Sequence, residues 1–243
     1  MAAPTDPPPL EHLPEDWDTA LAVVAHPDDM EYGAASAVAR WTDMGKQVAY
    51  VLVTDGEAGI ENLPPDEVGP LRREEQIRSC EVVGVDTVEF LGLPDGLLEE
   101  GLDLRRAIAG AIRTHRPDVL LSINHRDSWG GPSWNHVDHR AVGRTLLDAA
   151  RDAANPWVFT DLELKPHSGV RFAAFGGSPE PTHAVDVTGY LDKGIASLRE
   201  HAVYLEHLGG DMADPASFLT RFARQAGHRL GVEHASTFEV VHV

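Results

Sequence analysis

The sequence predicts an α/β domain with a mostly parallel sheet flanked by helices. Three observations lead to that class. Short apolar runs alternate with longer amphipathic ones through residues 19–153, the pattern of successive βα units. Glycine or proline punctuates the junctions, as at Gly45, Gly84, Gly96 and Pro117. The first apolar run, residues 21–25, stops abruptly at His26-Pro27-Asp28-Asp29. Open α/β sheets bind ligands at such places, outside the carboxyl ends of their strands.

The elements follow in order. Residues 1–18 are rich in proline and acid, contain no Lys or Arg, and include Pro7-Pro8-Pro9. They read as a tail draped over the surface or partly disordered, with no chemistry of its own and with His12 solvated. Residues 19–243 read as one domain. A strand over 19–25 precedes a helix over 33–44, which Gly45 ends as a C-cap. A second strand covers 47–54, dense in Val, Tyr and Leu. A helix over 65–83 stops at Gly84, and a strand over 87–91 leads into Gly92-Leu93-Pro94-Asp95-Gly96. A helix over 102–115 is broken by Arg116-Pro117, and 118–124 is a further strand. A helix over 136–153 follows an irregular segment that holds Trp129, Gly130, Gly131, Pro132 and Trp134. Beyond Pro156 the pattern predicts strands over 157–160, 171–175 and 183–187, helices over 190–207 and 215–229, and a closing strand over 237–243. This second half is less regular and is expected to form a cap or a small sheet of its own.

Composition removes several classes. The 243 residues suffice for one sizeable core, with 42% hydrophobic content. The formal net charge of -19 repels phosphate backbones and anionic lipid, so neither nucleic acid nor a membrane surface is an expected partner. One cysteine, Cys80, excludes an internal disulfide and a four-cysteine zinc site. No apolar run reaches the roughly 20 residues of a membrane span, and the N-terminal residues lack a secretory signal pattern. A cytoplasmic protein is expected, with homo-oligomer formation left open.

The chemistry concentrates in two clusters. His26 and Asp29, three apart across a strand-to-helix turn, can converge on one point, while Asp28 stays free to move a proton. Imidazole and carboxylate suit zinc, and to a lesser degree other divalent transition metals. The plain alternative is that Asp28 or Asp29 caps the next helix. The second cluster is Asn135-His136-Val137-Asp138-His139. On a helix His136 and His139 share a face; one could be a ligand and the other could face a substrate, or both could be solvated. Both clusters follow predicted strands at the same sheet edge. Two histidines and one aspartate as ligands would leave a fourth position open, the layout of a catalytic zinc.

These paired motifs, with Thr54-Asp55-Gly56-Glu57, Arg72-Arg73-Glu74-Glu75, Gly92-Leu93-Pro94-Asp95 and Asp186-Val187-Thr188 in the same order, resemble the zinc-dependent PIG-L/LmbE-like de-N-acetylases. The resemblance implies a Rossmann-like sheet and removal of an N-acetyl group from an amino-sugar conjugate by a zinc-activated water. It implies His26, Asp29 and His139 as zinc ligands and Asp28 as general base. His136 would stabilise the oxyanion, in protonated form, and Asp138 would orient or tune a histidine. Arg72 and Asp95 would contact substrate. Apart from the resemblance, Trp129 and Trp134 could offer flat apolar surfaces to a sugar ring or aglycone, or serve as loop packing anchors.

Some positions depart from the family. Asn135 and Val137 stand where it often has Gly and Pro, Trp134 lies where some members carry a catalytic Tyr, and Val203-Tyr204 replaces a Ser-Gln pair. Arg72 could instead pair with Glu74 or Glu75, and Asp95 precedes Gly96 as in a common turn. A dinucleotide-binding turn and a Gly-x-Ser-x-Gly elbow are both missing after the first strand. Two rival readings are an amidase of the same fold acting on a larger thiol-conjugate or secondary-metabolite amide, and a non-enzymatic metal- or sugar-binding protein.

Overall fold

Strands covered on both faces must be apolar throughout, and the central strands obey this. β2 (Thr19–Val24) is buried from Ala20 onward and β5 (Val119–Ile123) along its whole length. The computed structural model describes residues 8–243. The other strands are β1 (Glu11–His12), β3 (Gln47–Leu52), β4 (Thr87–Phe90), β6 (Phe172–Gly176), β7 (His183–Asp186) and β8 (Ala235–His242). They form one sheet in the order β1-β7-β8-β6-β5-β2-β3-β4. Every neighbouring pair is parallel except those of β8, which runs antiparallel to both β6 and β7.

The helices are α1 (Asp29–Gly33), α2 (Ala35–Asp43), α3 (Pro65–Val82), α4 (Leu102–His115), α5 (Val137–Ala154), α6 (Leu191–Arg199), α7 (Ala202–His207) and α8 (Pro215–Leu230). Alternation along the strands sorts the core into two layers. Ala20, Ala22 and Val24 point to the side of Val38, Trp41 and Cys80 on α2 and α3. Leu21 and Val23 point to the side of Ile108, Ile112 and Leu146 on α4 and α5. The expected fold class is therefore the observed one.

Four expectations are corrected. The strands of the second half form no separate cap or small sheet; β6, β7 and β8 extend the same sheet. Residues 157–160 are not a strand, because the carbonyls of Val158 and Phe159 accept from the buried guanidinium of Arg113 instead of a neighbouring strand. The helix expected over 33–44 begins at Asp29 and is interrupted at Ala34, whose φ of -140° is not helical. The surface tail over 1–18 holds for none of 10–17 as a block: Leu10, Leu13 and Trp17 are buried, and β1 pairs with β7. Trp17 packs edge-on to Trp41 with ring centroids 5.1 Å apart, and Glu15 accepts the Trp41 indole N–H at 2.7 Å. His12 is exposed as expected, and residues 1–7 lie outside the described residues.

Candidate active site

The chain leaves β2 for β3 and β4 on one side, then crosses back to place β5 on the other. The carboxyl ends of β2 and β5 therefore border the crevice that such a reversal opens. His26-Pro27-Asp28-Asp29 follows β2, and the segment that carries Asn135, His136, Asp138 and His139 follows β5. The loop after β4 brings Asp95 to the same place.

Three side chains converge there. His26 Nδ1 lies 3.1 Å from His139 Nε2, His139 Nε2 lies 3.0 Å from Asp29 Oδ1, and His26 Nδ1 lies 3.7 Å from Asp29 Oδ2. Hydrogen bonds made elsewhere fix what each atom can be. Asn135 Nδ2 donates to the carbonyls of Asn124 and Arg126, so its Oδ1 must be the atom 3.0 Å from His139 Nδ1. That oxygen accepts only, so His139 carries its proton on Nδ1 and turns a lone pair inward at Nε2. His26 Nε2 faces carboxylate oxygens of Asp95 at 2.9 Å and Asp138 at 3.3 Å. It is thereby a donor, and Nδ1 supplies the inward lone pair. With both rings neutral, two imidazole lone pairs and a carboxylate at these separations repel; a proton on His26 Nδ1 donated to His139 Nε2, or a bound cation, removes that repulsion. Tetrahedral zinc with bonds of 2.0–2.2 Å needs ligand atoms roughly 3.3 Å apart, and the observed spacings bracket that value.

The electrostatics agree. Burial works against a charged His26, but hydrogen bonds to Asp138, Asp29 and Asp95 outweigh it and raise its pKa well above the histidine range. Burial would likewise raise Asp29, yet the His139 and His26 imidazoles hold it well below the usual carboxylate range. The cluster demands positive charge. His136 also comes within 4.8 Å of His26 and His139, and His26, Asp95 and Asp138 form an overlapping triple. In that second triple Asp138 Oδ2 already accepts Gly96 N–H at 2.7 Å and Asp95 Oδ2 accepts Ala58 N–H at 2.9 Å. Its carboxylates are tied to the backbone and act as partners of His26.

Asp28 sits beside the cluster with its backbone at φ +80°, a left-handed conformation rare outside glycine. Its N–H donates to Gln76 Oε1 at 2.9 Å, and its Oδ2 accepts from Arg72 at 2.8 Å. Burial pushes the Asp28 carboxyl up to about 8 against the pull of Arg72. Arg72 is only 2% exposed. It also donates to Pro27 O at 2.7 Å and Gly56 O at 3.2 Å, and its guanidinium lies 4.1 Å from the Tyr204 ring centroid. A β-carbon at Gly56, whose φ is +66°, would collide with that guanidinium and with Pro27. Nη1 and Nη2 of Arg72 thus clamp the Asp28 turn, while its buried Nε has no partner among the described residues.

Asp95 faces His26 Nε2 and the loop backbone. Asp138 is fully buried; its oxygens accept from Gly96 and Leu98 N–H and approach His26, an orienting position. His136 Nδ1 accepts Asp138 N–H at 3.2 Å, which leaves Nε2 as the donor. Burial, then the nearby charges of His26 and His139, lower the His136 pKa. With Nδ1 accepting, a neutral His136 ring donates from Nε2. Trp134 is 68% exposed under the guanidinium of Arg140, and Trp129 meets His139 edge-on at 5.7 Å.

Two contributors escaped the sequence reading. Asn135 opens the second cluster and departs from a motif, and an amide one and four positions before two histidines is the signal that raises the tautomer question. Gln76 bridges Asp28 to Glu31, whose Oε1 it reaches at 2.9 Å; no spacing announces that contact across 45 residues.

Comparison with known proteins is consistent with this geometry. The family profile described as PIG-L: GlcNAc-PI de-N-acetylase matches residues 21–150. The chain is similar to a diacetylchitobiose deacetylase of Thermococcus kodakarensis, 28% identical over 88% of this chain and 81% of that one. It is 30% identical to a 1D-myo-inositol 2-acetamido-2-deoxy-alpha-D-glucopyranoside deacetylase of Streptomyces avermitilis, over 91% and 96% respectively. Among solved structures, the N,N'-diacetylchitobiose deacetylase of Pyrococcus horikoshii superposes with a TM-score of 0.83 at 25% identity, covering 93% of this chain and 85% of that one.

Proposed function

This chain belongs to the PIG-L/LmbE-like de-N-acetylase family, and on that premise we propose that it removes an N-acetyl group from an amino-sugar conjugate, with His26, Asp29 and His139 holding one zinc ion. The observation that carries the reading is the convergence of His26 Nδ1, His139 Nε2 and the two oxygens of the Asp29 carboxylate, with separations of 3.1 Å between the imidazole nitrogens, 3.0 Å from His139 Nε2 to Oδ1 and 3.7 Å from His26 Nδ1 to Oδ2. Bound there, zinc supplies Lewis acidity, which polarises an amide carbonyl and acidifies water.

The remaining chemistry belongs to the chain. Arg72 occupies Asp28 Oδ2, so Oδ1 is the oxygen left to exchange a proton. A carboxyl lifted toward neutral pH can accept a proton from attacking water and return it to the departing amine. His136 Nε2–H donates to the oxygen that gains charge as the amide carbon becomes tetrahedral. Asp138 and Asp95 keep His26 in the tautomer that presents Nδ1. Residues 8–243 act as one catalytic unit, and no helix among them is long and apolar enough to cross a membrane.

The test combines metal analysis with amine release from N-acetylglucosaminides. Asp28→Asn is expected to retain one equivalent of zinc and lose roughly 10²–10⁴-fold in kcat. His139→Ala is expected to lose the metal. An Asp28→Asn protein with unchanged kcat, or a His139→Ala protein with full zinc, overturns the assignment.

A further inference from the structure

Glu31 is a buried carboxyl on α1, two residues beyond Asp29, with no part in the zinc or proton chemistry. Burial of such a group is costly unless its oxygens find donors. Its Oε1 accepts from Gln76 Nε2 at 2.9 Å and from Ser79 Oγ at 2.8 Å. Ser79 Oγ lies 2.7 Å from Ser197 Oγ, which ties the pair to α6. Gln76 and Ser79 are buried residues of α3. One end of the Gln76 amide meets the Asp28 N–H, which can only donate. That end is therefore Oε1, and Nε2 is the end that faces Glu31.

These contacts end on a single peptide unit. The Pro27–Asp28 peptide presents its carbonyl to Arg72 Nη2 at 2.7 Å and its N–H to Gln76 Oε1 at 2.9 Å. Arg72 and Gln76 stand four apart on α3 and share a face of that helix. One element thus pins both ends of the peptide plane. Asp28 turns from that plane at φ +80°, a conformation that persists in a residue with a side chain only where its surroundings over-determine it. A rotated peptide would swing the Asp28 carboxyl away from the cluster. We propose, on the premise of the deacetylase reading, that Gln76 is a positioning residue for the general base and that Glu31 orients it. Together they hold the Pro27–Asp28 peptide in the orientation that keeps the Asp28 carboxyl beside the cluster, and both act through Asp28.

The experiment compares Gln76→Met, which keeps the length of the side chain without an acceptor, with Gln76→Glu, which keeps the acceptor. Beside Glu31 the introduced carboxyl shares one proton with it, so the contacts to Asp28 and Glu31 both persist. Gln76→Met is expected to hold one equivalent of zinc, keep KM within about threefold and lose about 10²-fold in kcat, the scale of a reacting group displaced by about an ångström. Gln76→Glu is expected to restore most of that loss. A zinc-loaded Gln76→Met protein with the parent's kcat overturns the proposal, and so does a Gln76→Glu kcat no better than that of Gln76→Met. Loss of zinc from Gln76→Met overturns it too, because the side chain would then serve the ligands rather than the base. Amide hydrogen exchange reads the same peptide without substrate. In the parent the Asp28 N–H is expected to exchange at least about 10²-fold more slowly than an unprotected amide, and to lose that protection in Gln76→Met. An unprotected Asp28 N–H in the parent overturns the proposal even if Gln76→Met does not fold. A parent that releases no amine from N-acetylglucosaminides overturns the deacetylase reading alone, and the exchange comparison then decides whether Gln76 holds the peptide.

Discussion

Asn135 shows how much one buried amide can determine. Its Nδ2 has two carbonyl acceptors and its Oδ1 receives both His136 N–H and His139 Nδ1. Partners of this kind typically change metal affinity by about 10–100-fold. Asn135→Ala is therefore expected to weaken zinc binding by about that factor in a competition titration, with the far-ultraviolet circular dichroism retained. Unchanged affinity would mean that the His139 tautomer is set by something else. At this scale the sequence was informative about charged and imidazole side chains near strand ends and silent about what they touch. His26 with Asp29, and His136 with His139, stood out because a three-residue spacing holds each pair together locally; only the fold brings the two pairs together across 113 positions. The pairings of Arg72 with Asp28 and of Asp95 with His26 were not legible, because they span 44 and 69 positions.

Among the elements, α4 and α5 are joined by Arg113, which is 4% exposed. Its guanidinium donates to the carbonyls of Ala153, Phe159, Asp152, Asn155 and Val158 at 2.8–3.1 Å. These include carbonyls that the end of α5 leaves without helical partners. Lysine has the charge but not the planar fork. Arg113→Lys is expected to cost about 2–4 kcal/mol of unfolding free energy in urea, because several buried carbonyls lose their donor. A variant within about 0.5 kcal/mol of the parent would show that water takes over these contacts. The same guanidinium explains why aromatic and β-branched residues at 157–160 mimic a strand without pairing as one. The β1 segment escaped notice for the opposite reason: two residues give no periodicity, and the buried Leu10, Leu13 and Trp17 are diluted among prolines and acids. The helix over 102–115 was fully legible because its apolar positions repeat every three to four residues and Arg116-Pro117 ends it.

For the molecule as a whole, the reversal of strand order beside β2 places the cluster, and a buried polar layer behind it sets a pH limit. His201 is fully buried beside Glu31, with its Nε2 3.9 Å from Glu31 Oε2. Burial, then the charges of Arg72 and Arg78, push its pKa down to about 3. The unfolded chain binds that proton near pH 6.5 and the folded one only near 3, so this contribution is complete above about 6.5 and is lost as pH falls. Between pH 7 and 4.5 the wild-type protein is expected to lose about 2–3 kcal/mol more stability than His201→Gln. Equal losses in parallel urea titrations would show that His201 accepts a proton without unfolding. Burial raises Glu31 instead, and that group is common to both proteins.

The place of β8 has a consequence for how the chain is assembled. It is the last strand in sequence, yet it sits between β6 and β7. Five parallel strands, β6 through β4 in spatial order, can zip together as they are synthesised, and the crevice that gathers His26, Asp29 and His139 lies within them. The β1–β7 ribbon has no berth until the final strand arrives to bridge it. The catalytic half can thus be built first, with one margin of the molecule waiting on the closing residues for its attachment.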